Sequence, residues 1–143
     1  MAITISSRVG ITNDTNHDQA TRVVRLRRVR EVRETLMGEA LGFPGAWEDH
    51  PWGDTVVKVG KKIFVFLGEE GFSVKLPESA EEALSLGAEP TGYGLGRAGW
   101  VSVRFQGDDD PVDLYRDWID ESYRAVATKT LVKQLDAQRA DDA

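Results

Sequence analysis

Apolar residues recur along this chain with two different periods, and the switch between them predicts its elements. From about Arg22 to Leu41, residues Leu26, Val29, Val32, Leu36, Met37 and Ala40 fall on one broad helical face. Gly42 supplies the stop, with Pro44 just beyond it. Period two then takes over. Residues 55–59 and 63–67 read as strands around the connection Gly60-Lys61-Lys62. Residues 72–76 read as a third strand, with Phe72, Val74 and Leu76 alternating with Ser73 and Lys75. Burial fixes register, and a three-residue turn that sets Val57 opposite Val65 keeps the apolar set on one face. Ser79 and Glu82 have capping-box spacing and predict a short helix over 80–86, closed by Gly87. Residues 100–105 form a fourth strand, with Val101, Val103 and Phe105 on one face and Trp100, Ser102 and Arg104 on the other. Asp110 is placed to cap a last helix, with Pro111 at its first position. That helix runs to about Leu135, with Leu114, Trp118, Ile119, Ser122, Ala125 and Val126 on its buried side.

The predicted order is α-β-β-β-α-β-α. Hairpin-linked strands with helices at the ends imply an α+β fold in two layers, an antiparallel sheet covered by helices. One domain over residues 23–137 is expected, preceded by a polar arm over 1–22 and followed by a polar tail over 138–143. The segment 43–54, FPGAWEDHPWGD, reads as a loop anchored by Trp47 and Trp52.

Composition narrows the function classes. A chain of 143 residues, 41% hydrophobic and 29% charged, suits one globular domain with a real core. It has no cysteine, which removes disulfides and thiolate metal sites. No apolar run has the length of a membrane span, and residues 1–22 lack the apolar core of a signal peptide, so a cytoplasmic location is expected. The net charge of −6 weighs against a polyanion as main partner. The charge is uneven: residues 22–34 hold six arginines against Glu31 and Glu34, and residues 108–121 hold seven acids against Arg116. Arg27 with Glu31, and Arg30 with Glu34, have i,i+4 spacing, which favours a solvated helix face over a nucleic-acid stripe.

Three stretches invite chemistry. Gly94-Leu95-Gly96-Arg97-Ala98-Gly99 fits G-x-G-x-x-G, but a clear strand follows it where a dinucleotide site needs a helix N-terminus. No cofactor is expected there, and the glycines read as a tightly turned connector. Glu48, Asp49, His50 and Asp54 match no metal-ligand spacing, and His50 has no nucleophile in a recognisable motif to serve. Neither a metal nor catalysis is expected. The third stretch is the sheet, where Lys58, Phe64, Phe66, Ser73, Lys75, Ser102 and Arg104 share the face opposite the apolar set, with Lys61 and Lys62 at its rim. Cations mixed with aromatics suit nucleic acid, because lysines meet phosphates and rings stack on bases.

Four motifs in order, PGAWEDHPWG, VVKVGKKIFVFL, GYGLGRAGW and IDESYRAV, resemble the MmcQ/YjbR-like family over about residues 26–135. Pro44, Gly45, Glu48, Pro51 and Gly53 match the first motif, and Lys58, Gly60, Lys62 and Phe64 the second. Gly92, Tyr93, Arg97 and Trp100 match the third, and Ser122 and Tyr123 the fourth. Relatives commonly read like G-Y-H-M-N-K-x-H-W in the third motif, whereas Gly94, Gly96 and Gly99 stand here. The resemblance implies a double-wing fold and a cytoplasmic DNA-binding protein without catalytic activity. The DNA contacts expected on this basis are Lys58, Lys61, Lys62, Lys75, Arg97 and Arg104, with Tyr93 and Trp100 for stacking or shape. The alternative is a protein-interaction or small-anion-binding module, its pocket near Trp47, Glu48, His50, Trp52, Tyr93, Arg97 and Trp100.

Overall fold

The computed structural model describes the chain over residues 2–142, and its side chains over residues 18–142. Helix α1 (Ala2–Leu41) leads into strands β1 (Ala46–Asp49), β2 (Val56–Val59), β3 (Lys62–Leu67) and β4 (Gly71–Lys75). Helix α2 (Ala80–Ser85), strands β5 (Glu89–Pro90) and β6 (Trp100–Arg104), and helices α3 (Val112–Val126) and α4 (Lys129–Asp142) complete it. The strands form one antiparallel sheet in the order β1-β2-β3-β4-β6-β5. The fold is α+β, as the period switch implies.

The apolar face of the sheet packs on the helices. Val57, Val65, Val74 and Val101 form one cross-strand row and meet Leu36, Ala40, Trp118, Ile119 and Tyr123 in a single core. On α3 the buried side is Tyr115, Trp118, Ile119, Ser122 and Tyr123, so it is rotated from the expected one, and Ala125 is exposed. Two tyrosines take the places because each finds a partner for its hydroxyl. Tyr115 donates to Asp110 at 2.8 Å and Tyr123 to the Pro44 carbonyl at 2.6 Å.

Several boundaries differ from the sequence expectation for identifiable reasons. Helix α1 begins at Ala2, so the expected arm over 1–22 is continuous with it, and residues 18–28 are exposed along it. Met1 and the side chains of residues 2–17 lie outside the described part. The expected loop 43–54 contains β1, whose Trp47 and Asp49 share the face of Lys58. The single last helix is two, because Ala127 is extended (ψ 158°) and Thr128 starts α4, its Oγ1 accepting from the Leu131 N–H. Helix α4 continues through the expected polar tail as far as Asp142.

Both expected caps use their side chains elsewhere. The Ser79 hydroxyl donates to Glu121 at 2.6 Å rather than accepting from its own helix. The Asp110 carboxylate accepts from the Gln106 and Gly107 N–H groups, which closes the loop before α3. On α1, neither i,i+4 pair forms an ion pair among the described residues; Arg33 instead donates to the carbonyls of Gly68 (3.0 Å) and Leu67 (3.4 Å), and Arg28 pairs with Asp108 at 2.8 Å.

The β2–β3 hairpin satisfies two registers at once. Val59 pairs with Lys62 and Lys58 with Ile63, as a two-residue turn requires, yet Val57 pairs with Val65 as expected. A β-bulge reconciles them, with Phe64 as the extra residue. The bulge turns Phe64 to the helix side, where it is buried edge-on to Phe43 (5.9 Å) and Tyr123 (5.2 Å). Phe64 therefore leaves the polar face on which strict alternation places it. The bulge also frees its carbonyl, which accepts from the buried Ser122 hydroxyl at 2.6 Å, while that oxygen accepts from the Lys75 N–H at 2.9 Å. Ser122 thus joins β3 to β4 from the helix layer, where the regular ladder has stopped.

Candidate nucleic-acid interface

The face of the sheet turned away from the helices carries the candidate site. Register decides which of its side chains meet. Strand β2 ends, β3 begins, β4 ends and β6 begins at one edge of the sheet, the edge holding the Gly60-Lys61 turn. Lys58 and Lys62 lie on the two arms of that hairpin, Lys58 on the outer face and Lys62, opposite the core residue Val59, on the helix side of the sheet's end, and Lys75 is directly opposite Trp100. Arg97 lies in a 3-10 turn over Leu95–Ala98 that delivers the chain to Trp100. Five of the six expected cations therefore gather at the hairpin end. Arg104, opposite Gly71, stands four residues along β6 from Trp100, about 13 Å away at strand rise.

These cations differ in freedom. Lys58 is committed: its Nζ lies 2.7 Å from Asp49 and 5.2 Å from the centre of the Trp47 ring. The Lys58 hydrogen bond, with help from the His50 N–H, holds the Asp49 carboxyl below the usual carboxylate range. Lys61, Lys62 and Arg97 are exposed and Lys75 is half-buried, and none has an ionic partner among the described residues.

The aromatic residues divide as well. Trp100 is buried with its ring edge-on to Phe66 at 5.3 Å, so it supports the face rather than standing free on it. Tyr93 is fully exposed with a positive φ of 60°. Trp52 is likewise exposed, with φ 52°. Trp47 is fixed by its indole N–H, which donates to the Gly60 carbonyl at 2.9 Å. His50 lies 2.8 Å from Glu48, at the far side of β1. Of the residues of the expected ligand pocket, Trp47 is on β1 and Trp100 on β6, with β2, β3 and β4 between them in the sheet order.

The glycine string acquires a structural explanation. Gly94 (φ 78°) and Gly99 (φ 92°) bracket the 3-10 turn in the left-handed conformation, and a Cβ on Gly96 would stand 2.8 Å from Pro90 Cβ. The loop closes a hairpin between β5 and β6, with no helix behind it to face a phosphate.

A feature not anticipated from sequence lies beside this loop. A cleft of about 830 Å³ opens on the outer face, between the Tyr93 loop and the β3–β4 turn. Phe66, Leu95 and Tyr93 give it apolar surface, and Ser73, Ser102 and Thr91 line it with hydroxyls. Ser73 and Ser102 are paired across β4 and β6 with their oxygens 2.7 Å apart, and Thr91 joins Ser102 at 2.9 Å. Asp54, Glu70, Glu89 and Arg104 border it. The signal was in the polar positions of β4 and β6, but only the pairing of strands distant in sequence brings them together.

An open antiparallel sheet, backed by helices on one face and carrying cations and the cleft on the other, defines an α+β domain. The YjbR family model matches residues 41–125, and the chain belongs to the YjbR family. No curated protein and no solved structure gives a match. The matched span runs from the end of α1 to the end of α3 and contains all six strands.

Proposed function

We propose that this protein binds DNA, without catalysis, through the hairpin end of its sheet, weakly and with little sequence preference. The observation that supports this reading is the register that brings Lys61, Lys62, Lys75 and Arg97 to one edge without ionic partners. Cations without ionic partners, gathered at one end of a sheet, neutralise phosphates and release counterions, a sequence-independent attraction. The net charge of −6 opposes the approach of a polyanion. Much of that charge is placed away from the site, on α3 and the loop before it, in the other layer.

The test is fluorescence anisotropy with labelled duplex and single-stranded DNA at two salt concentrations. Binding in low salt is expected, with log K falling per tenfold rise in salt by about 0.9 for each phosphate contacted in duplex and about 0.7 in single strands. The double variant Lys61→Ala/Lys62→Ala should flatten that slope by up to about two. No binding in low salt overturns the reading.

A further inference from the structure

We infer that the cleft beside Tyr93 receives an unpaired nucleobase, so that the protein prefers single-stranded DNA; this rests on the DNA-binding reading above. The cleft is divided from the cationic edge by a short step. Lys75 and Trp100 form one cross-strand row and Ser73 and Ser102 the next but one, about 7 Å along the strands. A strand whose phosphates lie on Lys75 and Arg97 therefore has the cleft within reach of its bases.

The lining suits a base and rejects a phosphate. Phe66, Leu95 and the exposed ring of Tyr93 offer apolar surface to a flat heterocycle. Thr91, Ser102 and Ser73 carry three hydroxyl protons, and two hydrogen bonds join them, so one O–H remains for an outside acceptor such as a base carbonyl. Asp54, Glu70 and Glu89 outnumber Arg104 at the border, and no ion pair engages any of the four among the described residues. Carboxylates there repel a phosphate but accept the N–H groups of a base edge. In a duplex those edges are paired and stacked, so the cleft stays unused and only the cationic edge contributes.

The experiment compares three probes at one low salt concentration: a short oligothymidylate, an abasic oligomer of the same length, and a blunt duplex. The oligothymidylate is expected to bind about tenfold more tightly than the abasic strand. Tyr93→Ala should abolish that difference while Tyr93→Phe retains it, and neither should change the salt slope. The ring is fully exposed, so both variants keep the core intact. Equal binding of thymidylate and abasic strands overturns the inference and leaves the DNA-binding reading standing. Failure of all three probes to bind overturns both.

Discussion

The Tyr123 hydroxyl donates a 2.6 Å hydrogen bond to the Pro44 carbonyl, and so fastens helix α3 to the turn that enters the sheet. Its two neighbours do the same for other elements. Ser122 joins the bulge of β3 to β4, and the Glu121 carboxylate accepts from the Glu78 and Ser79 N–H groups at the start of α2, each at 3.0 Å. Three consecutive residues of the fourth sequence motif thus hold three separate parts of the fold.

Replacement of Tyr123 by Phe isolates one of these links. The ring keeps its stacking on Phe43 at 4.6 Å, but the buried Pro44 carbonyl loses its donor. A loss of about 1–3 kcal/mol is expected in urea unfolding. Unchanged stability would show that water or another donor replaces the hydroxyl.

Two glycines should separate steric from conformational cost. A Cβ on Gly71 would lie 2.1 Å from the Val103 carbonyl oxygen, so Gly71→Ala must force β4 away from β6. At Gly94 nothing lies within 4 Å, and Gly94→Ala bears only the left-handed strain of φ 78°, about 1 kcal/mol. Gly71→Ala should lower the unfolding midpoint well beyond Gly94→Ala. The reverse order would mean that the sheet yields easily at β4.

Alkaline pH should weaken the fold through Tyr115. Burial, reinforced by the hydrogen bond to Asp110, raises its phenol above the ordinary value. The unfolded chain then releases this proton first, at about pH 10. The stabilisation is therefore full below that pH and is lost as pH rises toward the folded-state value. Tyr115→Phe should be less stable at neutral pH, yet its melting temperature should fall less between about pH 9 and 11. Parallel pH profiles would contradict this assignment.

Arg97 and Arg104 should part company in DNA titrations. Arg97 adjoins the cationic edge, whereas Arg104 lies at the opposite end of β6 among the carboxylates of the cleft. Arg97→Ala should reduce the salt slope by about 1. Arg104→Ala should leave it unchanged. Equal effects would place DNA along the whole face.

The layers of this fold were legible because Val57, Val65, Val74 and Val101 obey the period that burial imposes. Elements without that period escaped. Strand β1 is four residues, Ala46–Asp49, between a glycine turn and a proline, too short to show a period of its own. The break before α4 is made by Thr128 with no glycine or proline to announce it. At the site, the cationic types on the polar face were readable, since alternation sends Lys58 and Lys75 outward. Their grouping apart from Arg104 was not, because it depends on which strand ends share an edge. The commitment of Lys58 to Asp49 was likewise hidden inside a segment that reads as loop.

The bulge at Phe64 makes the second motif carry a frame shift in its own alternation. Before it, odd and even positions of β3 serve one assignment of faces; after it they serve the other. Loss of Phe64 would let the ladder run regularly, with Val65, Phe66 and Leu67 keeping their faces, but it would remove the inward ring and the free carbonyl that accepts from Ser122. The spacing of KKIFVFL therefore specifies a contact between the two layers as well as a strand. A hairpin one residue shorter would keep both faces of the sheet and lose this link to the helix layer.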